Sequence, residues 1–310
     1  MDRPPRWRLA ITISSDAAAA PDADFRRIIE RRLSSPQVHG DLETLLSALH
    51  WTDLTLVMTA PPLMEELPDL GDRFRGALGR RLEAMGPTGA EAWHLLFGPL
   101  FRAGSEEAIR PYAIAAHRER DAIIWRLRLF GFADLWAEEI EAAMRLAPVA
   151  GIALRRSGMQ RVPLDIRSVT RALSWWASPP HEARRVRMTT ITPLIIRRSR
   201  STLGSLDGLH SSIIRRLLAV ARWCDAAASR SLLADLRSDV WSLADETLSP
   251  VGWVRHSSNH PEGVVNLGLS GHFLLSDLTP IGNRLTQSAL LFHAGGGATA
   301  GFGWLTGILL

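Results

Sequence analysis

The chain has 310 residues, 46% of them hydrophobic and 22% charged, enough for two compact domains of about 150 residues each. Its net charge of +4 rests on 36 basic residues that are all arginine, and the absence of lysine excludes a Walker phosphate loop, a protein-kinase core and Schiff-base chemistry. The single cysteine, Cys224, excludes an intrachain disulfide, a cysteine-rich zinc site and a redox pair, and fits a reducing, cytoplasmic setting.

Residues 1–20 hold basic residues and a short apolar run, but Asp16 and the acids after Pro21 make a poor signal peptide. Within them, alternation over residues 7–13 predicts a first strand. Pro21-Asp22-Ala23-Asp24 then opens a helix over residues 25–33, and a second helix is expected at 41–50. Residues 52–59 read as a strand closed by Pro61-Pro62, and Phe74, Leu78 and Leu82 give helical spacing to 70–85. Two strands, 111–117 and 122–132, flank Arg118-Glu119-Arg120; a helix follows at 135–146 and a return strand at 152–156.

Ser178-Pro179-Pro180 marks a domain boundary, after which the pattern restarts. A strand is expected at 185–198, helices at 209–223 and 231–247, strands at 251–256 and 264–275, a helix at 280–292 and a last strand at 302–310. Two β-α-β-β-α-β units in tandem predict an α+β chain of two ferredoxin-like (RRM-like) domains. Residues 1–178 form the first, with an arginine-rich helical addition, and 181–310 the second, with a glycine-rich loop. Residues 285–310 carry no formal charge, but six glycines interrupt them, so no membrane span is expected.

Charge is concentrated. Residues 155–230 hold 15 arginines against four acids, a balance of +11, while the rest of the chain sums to −7. Such a block suits a polyanion, nucleic acid being the commonest, though an acidic protein partner would answer to it as well. Its candidate phosphate contacts are Arg184, Arg185, Arg187, Arg197, Arg198, Arg200, Arg215, Arg216 and Arg222. The helix 25–33 adds Arg26, Arg27, Arg31 and Arg32, with Arg27 and Arg31 on one face. Trp175-Trp176 are either core or a stacking platform for bases. His256 and His260 have the spacing of a helical metal pair, but Ser, Asn and Pro261 indicate a turn and no third ligand is evident, so no metal is expected. The glycine loop follows a helix instead of a strand, with seven residues after Gly303, which excludes a dinucleotide cofactor.

The run 291–303, LFHAGGGATAGFG, resembles the glycine-loop signature of the RAMP superfamily, the RNA-binding proteins of CRISPR systems. The strand 186–194 (VRMTTITPL), Arg215-Arg216-Leu217 and the run 252–258 (GWVRHSS) resemble the branch of CRISPR repeat-RNA endonucleases. Residues 74–79 (FRGALG) and 96–101 (LFGPLF) look like further landmarks of that superfamily, and the arginine-rich helix is similar to the helical finger of the type IV branch. The family pattern has a basic residue in the glycine loop. None stands here, which leaves the backbone N–H groups of Gly295, Gly296, Gly297 and Gly301 to cradle a phosphate.

The resemblance implies an endoribonuclease that binds the hairpin of a CRISPR repeat and cuts the precursor without metal, by attack of the ribose 2′-OH. It also implies retention of the crRNA, other effector subunits as partners and no small-molecule cofactor; the alternative is a non-catalytic RAMP subunit of an effector complex. The chemistry asks for a base near neutral pKa and for cations on the developing phosphorane charge. His39 and His50, beside the arginine helix, are the candidate proton carriers. Arg27, Arg31 and Arg255 are the candidate electrostatic catalysts.

Overall fold

The computed structural model describes residues 21–62, 64–98, 110–155, 158–177, 183–196, 206, 208–257 and 260–310. The strand expected at 7–13 and the boundary at 178–180 lie outside them. Helix α1 (Pro21–Ser34) is followed by a short strand β1 (Val38–Gly40) and by α2 (Leu42–Ser47), capped by the Asp41 side chain on the Thr44 N–H at 2.9 Å. The second helix therefore ends three residues before His50, which instead opens β2 (His50–Thr59).

In β2, Leu54, Leu56 and Met58 are fully buried while Asp53, Thr55 and Val57 are half-buried, the alternation that a sheet with one helix-covered face demands. Helix α3 (Leu70–Ala84) covers that face, with Phe74 against Trp125 at 4.7 Å. A helix the sequence did not announce, α4 (Pro87–Leu96), follows; Arg110 satisfies carbonyls at its end, Phe97 and Gly98, at 3.1 and 3.2 Å. Strands β3 (Tyr112–Glu119) and β4 (Ala122–Phe130), a 3₁₀ turn Gly131–Trp136 and α5 (Ala137–Val149) continue the unit.

The expected return strand at 152–156 is a correction. β5 (Ile152–Arg155) folds back on β6 (Gly158–Val162) as a separate hairpin, and β7 (Ile166–Trp175) completes the sheet by pairing with β2. The sheet order β3-β4-β2-β7 is second, third, first, fourth, the ferredoxin-like order.

The second unit repeats it. It comprises β8 (Val186–Thr190), α6 (Leu209–Trp223), β9 (Ala226–Ala228), α7 (Arg230–Ser238), β10 (Ser242–Ser257), β11 (His260–Ser276), α8 (Pro280–Phe292) and β12 (Leu305–Leu309). Its sheet order, β10-β11-β8-β12, is again second, third, first, fourth. β8 is shorter than expected because its regular pairing breaks after Thr190, Leu194 and Ile195 making only isolated bridges to Leu269 and Gly296, and the helix expected at 231–247 stops at Ser238. Its remainder is the start of β10, which pairs with β11 from Ser242 to Ser257. A two-stranded sheet, β1 parallel to β9, ties the N-terminal segment to the second unit.

The two units meet where α8 crosses the open face of the first sheet. Phe292 packs edge-on against Trp51 and Phe130 at 5.6 and 5.4 Å. Beside it, Arg128 makes a bidentate pair with Asp53, both contacts 2.7 Å, and donates to the Leu291 carbonyl.

Candidate functional site

α1 buries Ile29 and Leu33, and Phe25 stands edge-on to Trp136 at 5.6 Å. Its arginines consequently divide. Arg32 lies with its guanidinium 4.1 Å over the Phe132 ring, whereas Arg27 and Arg31 are on the exposed side, four residues apart. Arg26 is half-buried. Arg222, from α6, donates to the Leu33 carbonyl at 3.0 Å and so docks the end of α1.

His50 lies where β2, β7, α1 and the 3₁₀ turn come together. Its Nδ1–H donates to the Ala48 carbonyl at 3.0 Å, which leaves Nε2 as the ring nitrogen that can exchange a proton with a ligand. Burial pushes the Asp134 carboxyl pKa up, and the positive fields of His50, Arg171 and Arg32 pull it back. Trp175, the in-register partner of His50 on β7, is 55% exposed. Trp176 instead packs on Phe292 at 6.4 Å, so the adjacent tryptophans have opposite roles. Cys224 donates to the His50 carbonyl at 3.4 Å, and burial raises its thiol to about 12, which removes it from nucleophilic chemistry.

His39 is exposed on β1, in register with Ala227. The sequence sets His50 near the helix of Arg32 and offers Trp175 for stacking, but nothing in it marks Arg171 and Asp134 as their companions. No local motif links them, since they come from four elements spread over some 140 residues.

In the second unit, Arg184, Arg185 and Arg187 are exposed at the start of β8. Val186, Met188 and Thr190 are buried, so Arg187 and Thr189 face solvent. Register sets His272 of β11 and Thr306 of β12 on either side of Thr189, a polar strip across three strands. Sequence reasoning missed His272; its alternation with buried Phe273 was the available signal. Arg215 is exposed on α6. Arg255 lies on β10, two residues beyond Trp253, which packs on Phe302 at 4.6 Å and so joins this strand to the glycine loop. Arg197, Arg198 and Arg200 lie outside the described residues.

Two expectations are corrected. Arg216, 5% exposed, donates to the Phe292 carbonyl at 3.0 Å and the Tyr112 carbonyl at 3.1 Å, under the Phe130 ring. It is a strut between the units and not a surface phosphate contact. The Gly296 N–H, expected to face a phosphate, is taken by the Ile195 carbonyl at 2.6 Å. The neighbouring glycines meet steric needs: a Cβ on Gly301, at φ +91°, would lie 2.8 Å from the Gly71 Cα of α3. Gly295, at φ +73°, and Gly297, at φ +77°, likewise hold positive-φ turns of the loop.

His293, which ends α8, is buried, bonds the Phe302 carbonyl at 3.2 Å and stacks on Trp304 at 6.3 Å. Burial first, then the charge of Arg216, lowers its pKa to about 3. The unfolded imidazole takes its proton near 6.5, so the stability from a neutral His293 is complete above that pH and falls as pH drops toward 3. Burial also lowers His117 and His210, which adds to the slope, while the raised Asp134 opposes it. Acidification from pH 6.5 to 5 should cost about 2 kcal/mol, at roughly 1.4 kcal/mol per unit for His293. Urea unfolding of His293→Gln across this range should show a shallower slope; an unchanged one would refute the assignment.

Among the described residues, no helix is long and apolar enough to cross a membrane, and no group of three or more His, Cys, Asp or Glu could hold a metal ion. No protein-family model and no curated protein matches the chain. Solved structures do. The Cas6 (TTHB231) product complex matches at TM-score 0.55 and 14% identity, over 83% of this chain and 99% of that one. Thermus thermophilus Cas6 (TTHB231) matches at 0.54 and 13%, over 84% and 99%. The Cas6 (TTHA0078) product complex matches at 0.51 and 18%, again over 84% and 99%. With the same strand order in both of its sheets, the chain is Cas6-like in fold, a tandem of ferredoxin-like units.

Proposed function

We propose that this protein is a CRISPR repeat-RNA endoribonuclease, with domains at residues 1–178 and 181–310. The observation that carries the reading is the fold shared along nearly the full length of a Cas6 product complex. The +11 balance of residues 155–230 and the exposed Arg184, Arg185, Arg187 and Arg215 support an RNA partner.

The chemistry is assigned to the His50 patch. Nε2 of His50 takes the proton from the ribose 2′-OH; the 2′-oxygen forms a bond to phosphorus as the bond to the 5′-oxygen breaks. The products are a 2′,3′-cyclic phosphate and a 5′-OH, the latter protonated from solvent. Arg32 and Arg171 stabilise the phosphorane charge, and Trp175 offers its exposed face to a flanking base. Arg27, Arg31 and the Arg187–His272 strip serve as phosphate contacts along the hairpin.

End-labelled repeat RNA incubated with excess protein in EDTA should be cut once, leaving a cyclic phosphate. An absolute need for added divalent ions would overturn the mechanism. Salt-sensitive binding without any scission would instead identify a subunit that only holds the crRNA.

A further inference from the structure

At the far end of α3 from the glycine loop, three arginines converge with no paired carboxylate among the described residues. Arg81 lies in the last turn of α3 with Arg80 just before it, and Arg161 comes from β6 of the β5–β6 hairpin. With Ala77, Ala147, Ala150 and Gly151 they line a cavity of about 170 Å³. The small residues leave the space open, and it is roughly tenfold what one water needs.

Elsewhere in the protein arginines near acids pair with them: Arg128 with Asp53, Arg73 with Asp69, Arg145 with Glu141, Arg167 with Asp121. Among the described residues none of Arg80, Arg81 and Arg161 has a carboxylate within 4 Å, although Glu83 is only three residues from Arg80. The Arg80 guanidinium pKa is lowered by burial and then by the fields of Arg161 and Arg81, so the three charges feel one another. Like charges held together around an open cavity are costly, and an anion with several acceptor oxygens relieves that repulsion through charge-assisted bonds.

We propose that Arg80, Arg81 and Arg161 form a phosphate-binding site on the helical side of the first unit, and that it takes a backbone phosphate of single-stranded RNA flanking the repeat hairpin. The choice of RNA rests on the function proposed above.

The test compares the parent with Arg80→Gln/Arg161→Gln, both positions exposed, on the hairpin alone and on the hairpin with single-stranded extensions. The parent should bind the extended RNA more tightly. The variant should bind that RNA at least fivefold more weakly, with a log–log salt slope smaller by about 0.7 for each phosphate it no longer neutralises. It should bind and cut the bare hairpin as the parent does. Equal affinity of parent and variant for the extended RNA, or equal weakening on both RNAs, would overturn the site. Thermal stabilisation by inorganic phosphate in the parent but not the variant, with unchanged RNA affinity, would mark a free-anion site and overturn the RNA assignment. A parent that binds neither RNA refutes the proposed function itself, a result read before any variant is made.

Discussion

His50→Ala should slow single-turnover cleavage of repeat RNA by about 10²–10⁴-fold, the usual contribution of a positioned general base, with hairpin affinity within about twofold of the parent. The reason is local geometry. The Ala48 carbonyl holds Nδ1–H, so Nε2 is the ring nitrogen left to a ligand, with Trp175 in register beside it on β7. A base acts on the transition state, so its loss should appear in the rate and not in binding. Arg32→Gln should cost at least tenfold in rate, about 1.4 kcal/mol of transition-state stabilisation. Arg27→Ala/Arg31→Ala should weaken binding first, since both stand on the exposed side of α1. His39→Ala should cut at the parental rate. A fast His50→Ala and a slow His39→Ala would move the chemistry to the β1 edge.

What the sequence made legible follows the reach of its signals. α6 and α8 begin and end at the residues their periodicity and caps indicate, 209–223 and 280–292, because a 13–15-residue amphipathic run leaves little freedom. The segment 231–247 misled because a short helix runs on, after Asp239, into a strand whose first residues are mixed in polarity. The sheet order was recoverable only as a fold class. β5 reads as a strand equally well in a private hairpin or in the main sheet, and pairing partners 100 residues apart leave no local trace.

The site was legible in kind and not in composition. The sequence offered an arginine-rich helix and a histidine; the proposed patch adds Asp134, Arg171 and Trp175 to Arg32 and His50, and these residues lie on α1, β2, the 3₁₀ turn and β7. The same holds for Arg80, Arg81 and Arg161. In the glycine loop, the close approach of Gly71 and Gly301 and the bonds of the Gly296 and Gly301 N–H groups to Ile195 and Ala298 give those two glycines structural work that no sequence signal separates from phosphate binding.

Adjacent Arg215 and Arg216 should separate cleanly in stability measurements. Arg216 falls three residues after Ile213 and four before Val220, on the buried stripe of α6, and burial lowers its pKa to about 9, which leaves it charged at neutral pH. Its two bonds satisfy the Phe292 carbonyl at the end of α8 and the Tyr112 carbonyl at the start of β3, one in each unit. Arg216→Met keeps much of the volume but leaves both acceptors buried without their donor. At roughly 1.5–3 kcal/mol for each charge-assisted bond the loss should be about 3–5 kcal/mol, enough to unfold a marginal protein near body temperature. Arg215→Ala removes an exposed side chain and should change stability by no more than about 0.5 kcal/mol while flattening the salt dependence of RNA binding. Urea unfolding followed by circular dichroism reads the first effect and filter binding the second. If Arg216→Met unfolds at the parental midpoint and loses RNA affinity instead, its guanidinium serves the ligand and the strut assignment fails; if it unfolds early and the surviving folded fraction binds RNA normally, Arg216 is a structural tie between the two units, beside the contacts of Phe292 and Arg128.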